Sequence, residues 1–340
     1  MMKNSYKMLF ILSMMIGSMI SISSSSWFSL WMGLEINLLS FIPLMMSTKN
    51  LFSSESSLKY FLTQALASAV FFFSIILIFL FLNFKMNLIF YNFMIISSTM
   101  MMKSGTAPFH FWLPSVMEGL NWNSIFMLMT WQKIAPLMIL SYSLSLNLTI
   151  FIIFFSMIFG SLGGMNQTSL RKLMAFSSIN HLGWMMAGMV NNETLWMTYF
   201  MFYTFLNFCI IFLFNNFKLF NINQTFKLFY SNKFMNVSMF IMILSLGGLP
   251  PFIGFLPKWM IIELMITNNM YFILLFMLFM TLITLYFYLR ITYAAFLLNH
   301  MNMNWNFKMD NWNKNMKIIM ILNFFSVLGM LLINMFYFFI

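Results

Sequence analysis

Four charged side chains interrupt long apolar stretches of the sequence: Glu35, Lys103, Lys133 and Lys258. A charged group at the centre of a membrane helix costs about 2.5–3.5 kcal/mol, so such groups are typical of functional sites. One carboxylate cannot neutralise three lysines, and burial without an acidic partner favours the neutral form of lysine. Lysines that exchange between both forms could relay protons. A salt bridge between Glu35 and one lysine that fixes helix register is the alternative for that pair.

Two histidines accompany these charges. His110 follows Lys103 after the residues Ser-Gly-Thr-Ala-Pro-Phe, and His181 ends the polar run Ser-Ser-Ile-Asn-His. Imidazole gains and loses a proton near neutral pH, so both are candidates for a secondary relay or for orienting water. A packing role with hydrogen bonds is the alternative for each. Glu263 follows Lys258 by five residues, and we expect it at the membrane interface.

Motifs for cofactors and metals are absent from the sequence. It contains no G-x-G-x-x-G dinucleotide motif, no Walker loop and no histidine pair at metal-binding spacing. The single cysteine, Cys209, excludes both a disulfide framework and a four-cysteine iron–sulfur site within the chain. We therefore expect no cofactor-binding and no metal-binding residues here.

The composition predicts a membrane protein. Hydrophobic residues make up 62% of the 340 residues and charged residues only 7%, against about 25% charged in soluble domains. The net charge of +11 comes from bases scattered along the chain, so we predict no nucleic-acid partner. The abundance of Phe (46) and Met (41) is typical of an AT-rich organelle genome.

About twenty apolar residues cross a bilayer, and on that measure the sequence contains eleven spans. Their predicted limits are 7–24, 27–47, 57–82, 88–119, 123–144, 148–168, 172–190, 194–216, 236–266, 271–298 and 316–339. The segments 88–119 and 236–266 are too long for one straight helix and contain both Gly and Pro. Each is therefore predicted to be a broken helix, whose freed backbone groups line a cavity or contact protein.

Charged loops assign an orientation to these spans. The N-terminal face collects Lys3, Lys7, Lys49, Glu55, Lys59, Glu118, Arg171, Lys172, Lys218, Lys227, Lys233, Lys308, Asp310, Lys314 and Lys317, and the opposite face only Lys85 and Glu193. By the positive-inside rule, the N-terminus lies on the cytoplasmic-equivalent side, which is the matrix in a mitochondrion. An odd number of spans places the C-terminus in the intermembrane space.

The broken helices also predict an internal repeat. Residues 7–144 hold five spans with the fourth broken, and residues 148–298 hold five more with the fourth broken. Because five is odd, the second set would run inverted, as in repeat-built transporters whose sites lie at broken helices. We therefore predict an all-α membrane protein with two inverted five-helix repeats and one additional C-terminal helix, 316–339.

Five motifs give the chain its resemblance to a known family. They are 31–38 (WMGLEINL), 103–112 (KSGTAPFHFW), 131–136 (WQKIAP), 170–181 (LRKLMAFSSINH) and 247–258 (GGLPPFIGFLPK). Over essentially its whole length, the chain resembles the chain 2 family of NADH-ubiquinone oxidoreductase, and insect mitochondrial forms in particular. It departs from the bacterial pattern by lacking three N-terminal helices, as animal members do.

The resemblance implies an antiporter-like subunit in the membrane arm of mitochondrial complex I, in the inner membrane. It also implies the roles of the charged residues. Glu35 and Lys103 would form a coupling pair, Lys133 the central relay, and Lys258 the group that passes a proton onward. Quinone reduction elsewhere in the complex would drive this transfer.

The same resemblance implies cofactors and partners outside this chain. FMN, iron–sulfur clusters and ubiquinone would be bound by other subunits. Chains 4 and 4L, accessory subunits and phospholipids such as cardiolipin are the expected neighbours.

Two other functions fit an antiporter-like fold: a stand-alone cation/proton antiporter and a scaffold. Sodium prefers carboxylate oxygens, whereas the mid-membrane charges here comprise one acid and three lysines, which favours protons over a metal cation. A scaffold would not need four buried charges.

Overall fold

The structure, a computed structural model, describes residues 5–47, 50–84, 89–227, 233–298, 318–327 and 329. Helices account for the regular structure in these ranges, apart from one isolated β-bridge between Ser169 and Asn221. The predicted all-α class is confirmed for this part of the chain. A helix pairs its own backbone groups, which is what an apolar solvent requires.

The chain forms two units, Met1–Ser156 and Met157–Ile340. The helices of the first unit are α1 (Ser5–Ser23), α2 (Trp27–Met45), α3 (Leu51–Phe84), α4 (Ile89–Ser104), α5 (Trp112–Gly119), α6 (Trp122–Met129) and α7 (Trp131–Tyr142). Helix α8 (Leu146–Met165) crosses the boundary between the units. Within the first unit, α2 packs on α1 and α3, while α4 packs on α3 and α7.

The helices of the second unit are α9 (Leu170–Asn191), α10 (Glu193–Phe217), α11 (Ile222–Lys227), α12 (Lys233–Gly247), α13 (Phe255–Thr267), α14 (Tyr271–Leu298) and α15 (Ile318–Val327). Helix α10 packs on α9, α12 and α13, and α14 packs on α12 and α13.

Seven helical segments in the described residues are long and apolar enough to cross a membrane. The four other predicted spans are the two broken segments, α9, and 316–339, which the structure describes only at 318–327 and 329. Helix α9 carries Ser177, Ser178, Asn180 and His181, all buried, which lowers its mean hydropathy. The count of eleven spans and the inverted repeat remain predictions.

One predicted span is divided in the structure. Segment 123–144 comprises α6 and α7, which meet at Thr130, where the backbone has φ −112° and ψ −75°. The Thr130 hydroxyl donates to the Phe126 carbonyl at 2.7 Å. Pro136, inside α7, supplies no backbone N–H, which further weakens a continuous helix. Lys133 therefore lies in the first turn of a helix, although it is midway along the span.

Several charges used to orient the spans lie outside the described residues. They are Lys3, Lys49, Lys85, Lys308, Asp310, Lys314 and Lys317.

Glycines allow the closest approaches between helices. A Cβ on Gly33 of α2 would lie 2.7 Å from the Ser21 nitrogen of α1. In the second unit, a Cβ on Gly254, just before α13, would overlap the Ser245 carbonyl oxygen of α12. Small residues at such crossings are typical of membrane helix packing. Gly254 thus allows the end of α12 and the start of α13 to come together.

We expect Gly254→Ala to lower stability by about 1–3 kcal/mol, because backbone atoms must move to admit the methyl group. Gly188→Ala is the matched control, since its Cβ would meet its nearest neighbours at an ordinary 3.5 Å. The midpoint of thermal unfolding in native membranes measures both variants. Equal midpoints would contradict the close approach at Gly254.

Candidate functional site

The site in the first unit is built around the end of α4. Gly105, with φ +79°, ends the helix in a conformation that favours glycine. The carbonyl of Met101 accepts hydrogen bonds from the Gly105 and Thr106 amides at 3.0 and 3.1 Å. The carbonyl of Met102 accepts the Trp112 indole N–H at 3.0 Å. These bonds satisfy groups that the helix end exposes.

Lys103 lies in the last turn of α4 and faces the polar interior of the unit. Its carbonyl accepts the Gln64 side-chain amide of α3 at 3.4 Å. The Glu35 carboxylate, half-buried on α2, acts on Lys103 through its coulombic field. The two side chains form no ion pair within 4.0 Å in the described structure. They are therefore electrostatic neighbours, which argues against a close salt bridge that fixes helix register.

A polar network joins the helices around this pair. The Gln132 amide nitrogen of α7 donates to the Asn37 side-chain oxygen of α2 at 2.9 Å. The Tyr60 hydroxyl of α3 donates to the Gln132 side-chain oxygen at 3.4 Å. These three residues and Gln64 border one cavity beside Lys103. The network brings the helices that carry Glu35, Lys103 and Lys133 to one place.

Sequence reasoning missed these neutral polar residues. Asn37 follows Glu35 by two positions, and Gln132 directly precedes Lys133, so both stand in motifs that the charged residues dominate. Gln64 is the long polar side chain that directly precedes the apolar run of α3, and this position is the signal that could have identified it. Their meeting depends on helix packing, which spacing along the chain does not determine.

Lys133 is 2% exposed, against 8% for Lys103. Its backbone amide donates to the Thr130 carbonyl at 3.2 Å, across the junction of α6 and α7. The preceding Trp131 donates its indole N–H to the Ser18 hydroxyl of α1 at 3.2 Å. Contacts with α1 and α2 therefore fix the turn that carries this lysine.

His110 lies within the break between α4 and α5 and is buried. Its Nδ1 is 3.3 Å from the Pro108 carbonyl oxygen, and its ring centroid is 4.2 Å from that of Phe111. Lys103, in the last turn of α4, and His110, seven residues later, thus lie at the same helix break.

The break in the second unit holds Lys258. Its ammonium donates to the Gly247 carbonyl oxygen, the last of α12, at 2.7 Å. Gly248, with φ +81°, has no side chain, and a Cβ there would lie 2.8 Å from the Lys258 Nζ. A cation at the C-terminal end of a helix is favourable because unpaired carbonyls carry partial negative charge. Lys258 is 7% exposed, and Glu263 lies exposed on α13.

His181 lies in a buried polar cluster of the second unit. Its Nδ1 is 2.8 Å from the Tyr199 hydroxyl of α10, and its ring centroid is 5.2 Å from that of Tyr203. Both tyrosines are buried, as are Ser177, Ser178 and Asn207 nearby in sequence on α9 and α10. The polar run around His181 was apparent from sequence, whereas its tyrosine partners on α10 were not.

The described structure therefore divides the candidate residues between the two units. Glu35, Lys103, Lys133 and His110 belong to the first unit, and Lys258 and His181 to the second. The amide network joins the helices that carry Glu35, Lys103 and Lys133. Lys258 and His181 lie on neighbouring helices.

Comparison with known proteins identifies the family. Residues 24–284 match the family described as "NADH:quinone oxidoreductase/Mrp antiporter, TM", and residues 285–337 match "NADH dehydrogenase subunit 2 C-terminus". The NADH-ubiquinone oxidoreductase chain 2 proteins of Anopheles gambiae and Aedes aegypti are 53% and 54% identical over 331 residues, 97% of this chain and of each relative. The chain belongs to the NADH-ubiquinone oxidoreductase chain 2 family. The resemblance to insect forms is confirmed.

The fold of this chain 2 family member is also similar to a solved structure. A chain in "Respiratory complex I from Thermus thermophilus with bound Aureothin" matches with a TM-score of 0.81 at 21% identity, covering 97% of this chain and 80% of that one.

Trp112→Phe tests how the first break is stabilised. The substitution removes the indole N–H and leaves the Met102 carbonyl without that donor, which we expect to cost about 1–3 kcal/mol. Trp259→Phe is the matched control, because Trp259 on α13 is 47% exposed. Thermal unfolding of the assembled protein compares the two. If Trp112→Phe lowers the unfolding midpoint no more than Trp259→Phe does, the indole does not stabilise the break in this way.

Proposed function

We propose that this chain is a membrane-arm subunit of proton-translocating NADH:ubiquinone oxidoreductase and carries part of its proton path. Glu35, Lys103, Lys133 and Lys258 form that path, with His110 and His181 as secondary relays. The observation that carries the proposal is the deep burial of three lysines, at 8%, 2% and 7% exposure, in a chain of this family.

The first step of the path lies at Glu35 and Lys103. Because the two side chains are coulombic neighbours without a close ion pair, the proton affinity of Lys103 depends on the charge at Glu35. A change of charge at Glu35 therefore changes whether Lys103 holds its proton. This is the coupling that a redox event elsewhere in the complex requires.

The later steps use Lys133 and Lys258. Lys133 lies at the start of α7, next to the Gln132 amide, and Lys258 lies against the end of α12. Transfer of one charge through the membrane field takes about 2.3 kcal/mol per 100 mV, so the subunit needs an outside source of free energy. Quinone reduction in other subunits supplies it.

The topology of the chain is part of the proposal. Eleven spans form two inverted five-helix repeats and a C-terminal helix, in the mitochondrial inner membrane with the N-terminus in the matrix and the C-terminus in the intermembrane space. Its support is the strong asymmetry of basic residues between the loops of the two faces.

The proposed partners are the other membrane-arm subunits, with chains 4 and 4L as neighbours, accessory subunits and phospholipids such as cardiolipin. FMN, iron–sulfur clusters and ubiquinone are bound by other subunits. The support is the sequence itself, which offers a single cysteine and no dinucleotide motif.

A stand-alone antiporter is the second candidate, because the matching family also includes the Mrp antiporters. The relatives that match over 97% of the chain are named as oxidoreductase subunits, which favours the first function. Co-purification from mitochondrial membranes with NADH-oxidising subunits supports the first function, and isolation as a free transporter supports the second.

Lys133→Met tests the relay. We expect the complex to assemble, because methionine fills a similar volume, and we expect proton pumping and coupled NADH:ubiquinone turnover to fall at least tenfold. Acidification in sealed membrane vesicles and the rate of NADH oxidation are the measurements.

Lys59→Met is the control, because Lys59 pairs with Glu55 at 2.6 Å on an exposed part of α3. It should leave both rates near wild type. Full pumping by correctly assembled Lys133→Met would remove Lys133 from the path.

A further inference from the structure

The C-terminal helix α15 contacts the second helix break directly. The backbone N–H of Ile253, in the loop between α12 and α13, donates to the Ser326 carbonyl oxygen of α15 at 3.2 Å. A Cβ on Gly329, two residues beyond the described end of α15, would lie 2.6 Å from the Ile253 Cδ1 atom. We propose that α15 is a positioning element for this break, which holds the loop so that the Lys258 ammonium meets the Gly247 carbonyl.

One face of α15 suits this contact. The buried residues on this part of the chain lie three or four positions apart, which is the spacing of one helix face: Ile319, Asn323, Ser326 and Gly329. The opposite face is apolar and exposed, as at Ile321 and Phe324. Buried polar side chains in a membrane helix face protein and not lipid. The loop therefore packs on the protein-facing side of α15.

The loop has few backbone donors with which to hold its own shape. Pro250 and Pro251 carry no N–H, and the Phe252 amide donates to a carbonyl of the loop itself at 3.0 Å. Within residues 248–254, all of which the structure describes, the Ile253 amide alone donates to a helix other than α12 and α13. An unsatisfied backbone amide inside the membrane is costly, so the Ser326 carbonyl stabilises the loop in this position.

The same loop residue is joined to the turn that carries the lysine. The Ile253 carbonyl accepts the Leu256 amide of α13 at 3.2 Å, and Lys258 lies two residues further along the helix. The Lys258 ammonium in turn donates to the Gly247 carbonyl at 2.7 Å. A displacement of Ile253 would therefore move the first turn of α13 and lengthen the bond to Gly247.

The functional consequence rests on the proposed proton path through Lys258. A misplacement of about 1 Å, caused by a change far from the chemistry, can cost about 100-fold in rate. Helix α15 would thus influence the rate of transfer at Lys258 through the loop, without touching the lysine. The loop lies in the antiporter-family match, residues 24–284, and α15 in the subunit 2 C-terminal match, residues 285–337. The positioning contact therefore comes from outside the antiporter-family segment.

Gly329→Ala tests the contact by placing a methyl group against the loop. The Cδ1, Cγ1 and Cβ atoms of Ile253 lie 2.6, 3.2 and 3.4 Å from the new methyl, so the whole side chain must move. We expect proton pumping and coupled NADH:ubiquinone turnover per assembled complex to slow about 3- to 10-fold, because the shift is smaller than 1 Å. A density map should show the Lys258 Nζ beyond about 3.2 Å from the Gly247 oxygen.

Gly188→Ala is the matched control. Gly188 belongs to the same unit, and its Cβ would meet its nearest neighbours at an ordinary 3.5 Å. The variant should match wild type in pumping, in turnover and in the distance between Lys258 and Gly247.

Ile253→Val provides the rescue. It deletes the Cδ1 atom that the Gly329→Ala methyl would meet, and the nearest remaining contact is 3.2 Å. We expect Ile253→Val alone to be near wild type, and the double variant to recover most of the lost rate and the short Lys258 bond. Residues in direct contact show such coupling, whereas independent losses would add.

Normal turnover of the assembled Gly329→Ala complex, or a double variant as slow as Gly329→Ala, would overturn the positioning role. If Gly329→Ala does not assemble, the double variant decides. Its assembly with near-normal pumping supports the contact, and its failure to assemble contradicts it.

Lys258→Met separates this inference from the proton path. Impaired pumping by Lys258→Met with normal Gly329→Ala would reject the role of α15 alone. Normal pumping by assembled Lys258→Met would remove Lys258 from the path, and the distance between Lys258 and Gly247 in Gly329→Ala would then decide whether α15 positions the break.

Discussion

Backbone carbonyls freed inside the membrane must find donors, and this requirement organises both candidate sites. Where α4 ends, the Trp112 indole and the Gln64 amide bind the carbonyls of Met102 and Lys103. Where α12 ends, the Lys258 ammonium binds the carbonyl of Gly247. An unsatisfied carbonyl in hydrocarbon costs several kcal/mol, so these donors are conditions for breaking the helices at all.

The two breaks meet this condition with different chemistry. Neutral donors from α3 and α5 stabilise the first break, so Lys103 keeps its side chain available for Glu35 and the cavity. In the second break the lysine itself is the donor, and Gly248 leaves room for its side chain. Lys103 and Lys258, which both lie at helix breaks, thus differ in the contacts of their ammonium groups.

Part of this arrangement could be predicted from sequence. Apolar runs predict helices, and Gly105, Pro108, Gly248 and Pro250 lie where the structure ends or interrupts them. The junction at Thr130 could not be predicted, because threonine is compatible with a helix and the proline lies six residues further on. The role of Asn37 and Gln132 could not be predicted either, because only helix packing shows that these two neutral amides bond each other.

The bond between Lys258 and Gly247 has a consequence for the energetics of proton transfer. An ammonium has three N–H donors and a neutral amine has two, so the end of α12 keeps a donor in either state. Loss of the proton therefore need not open the break or expose a carbonyl. The surrounding backbone can stay in place while the charge changes, and a small reorganisation energy is what fast, reversible transfer through a rigid scaffold demands.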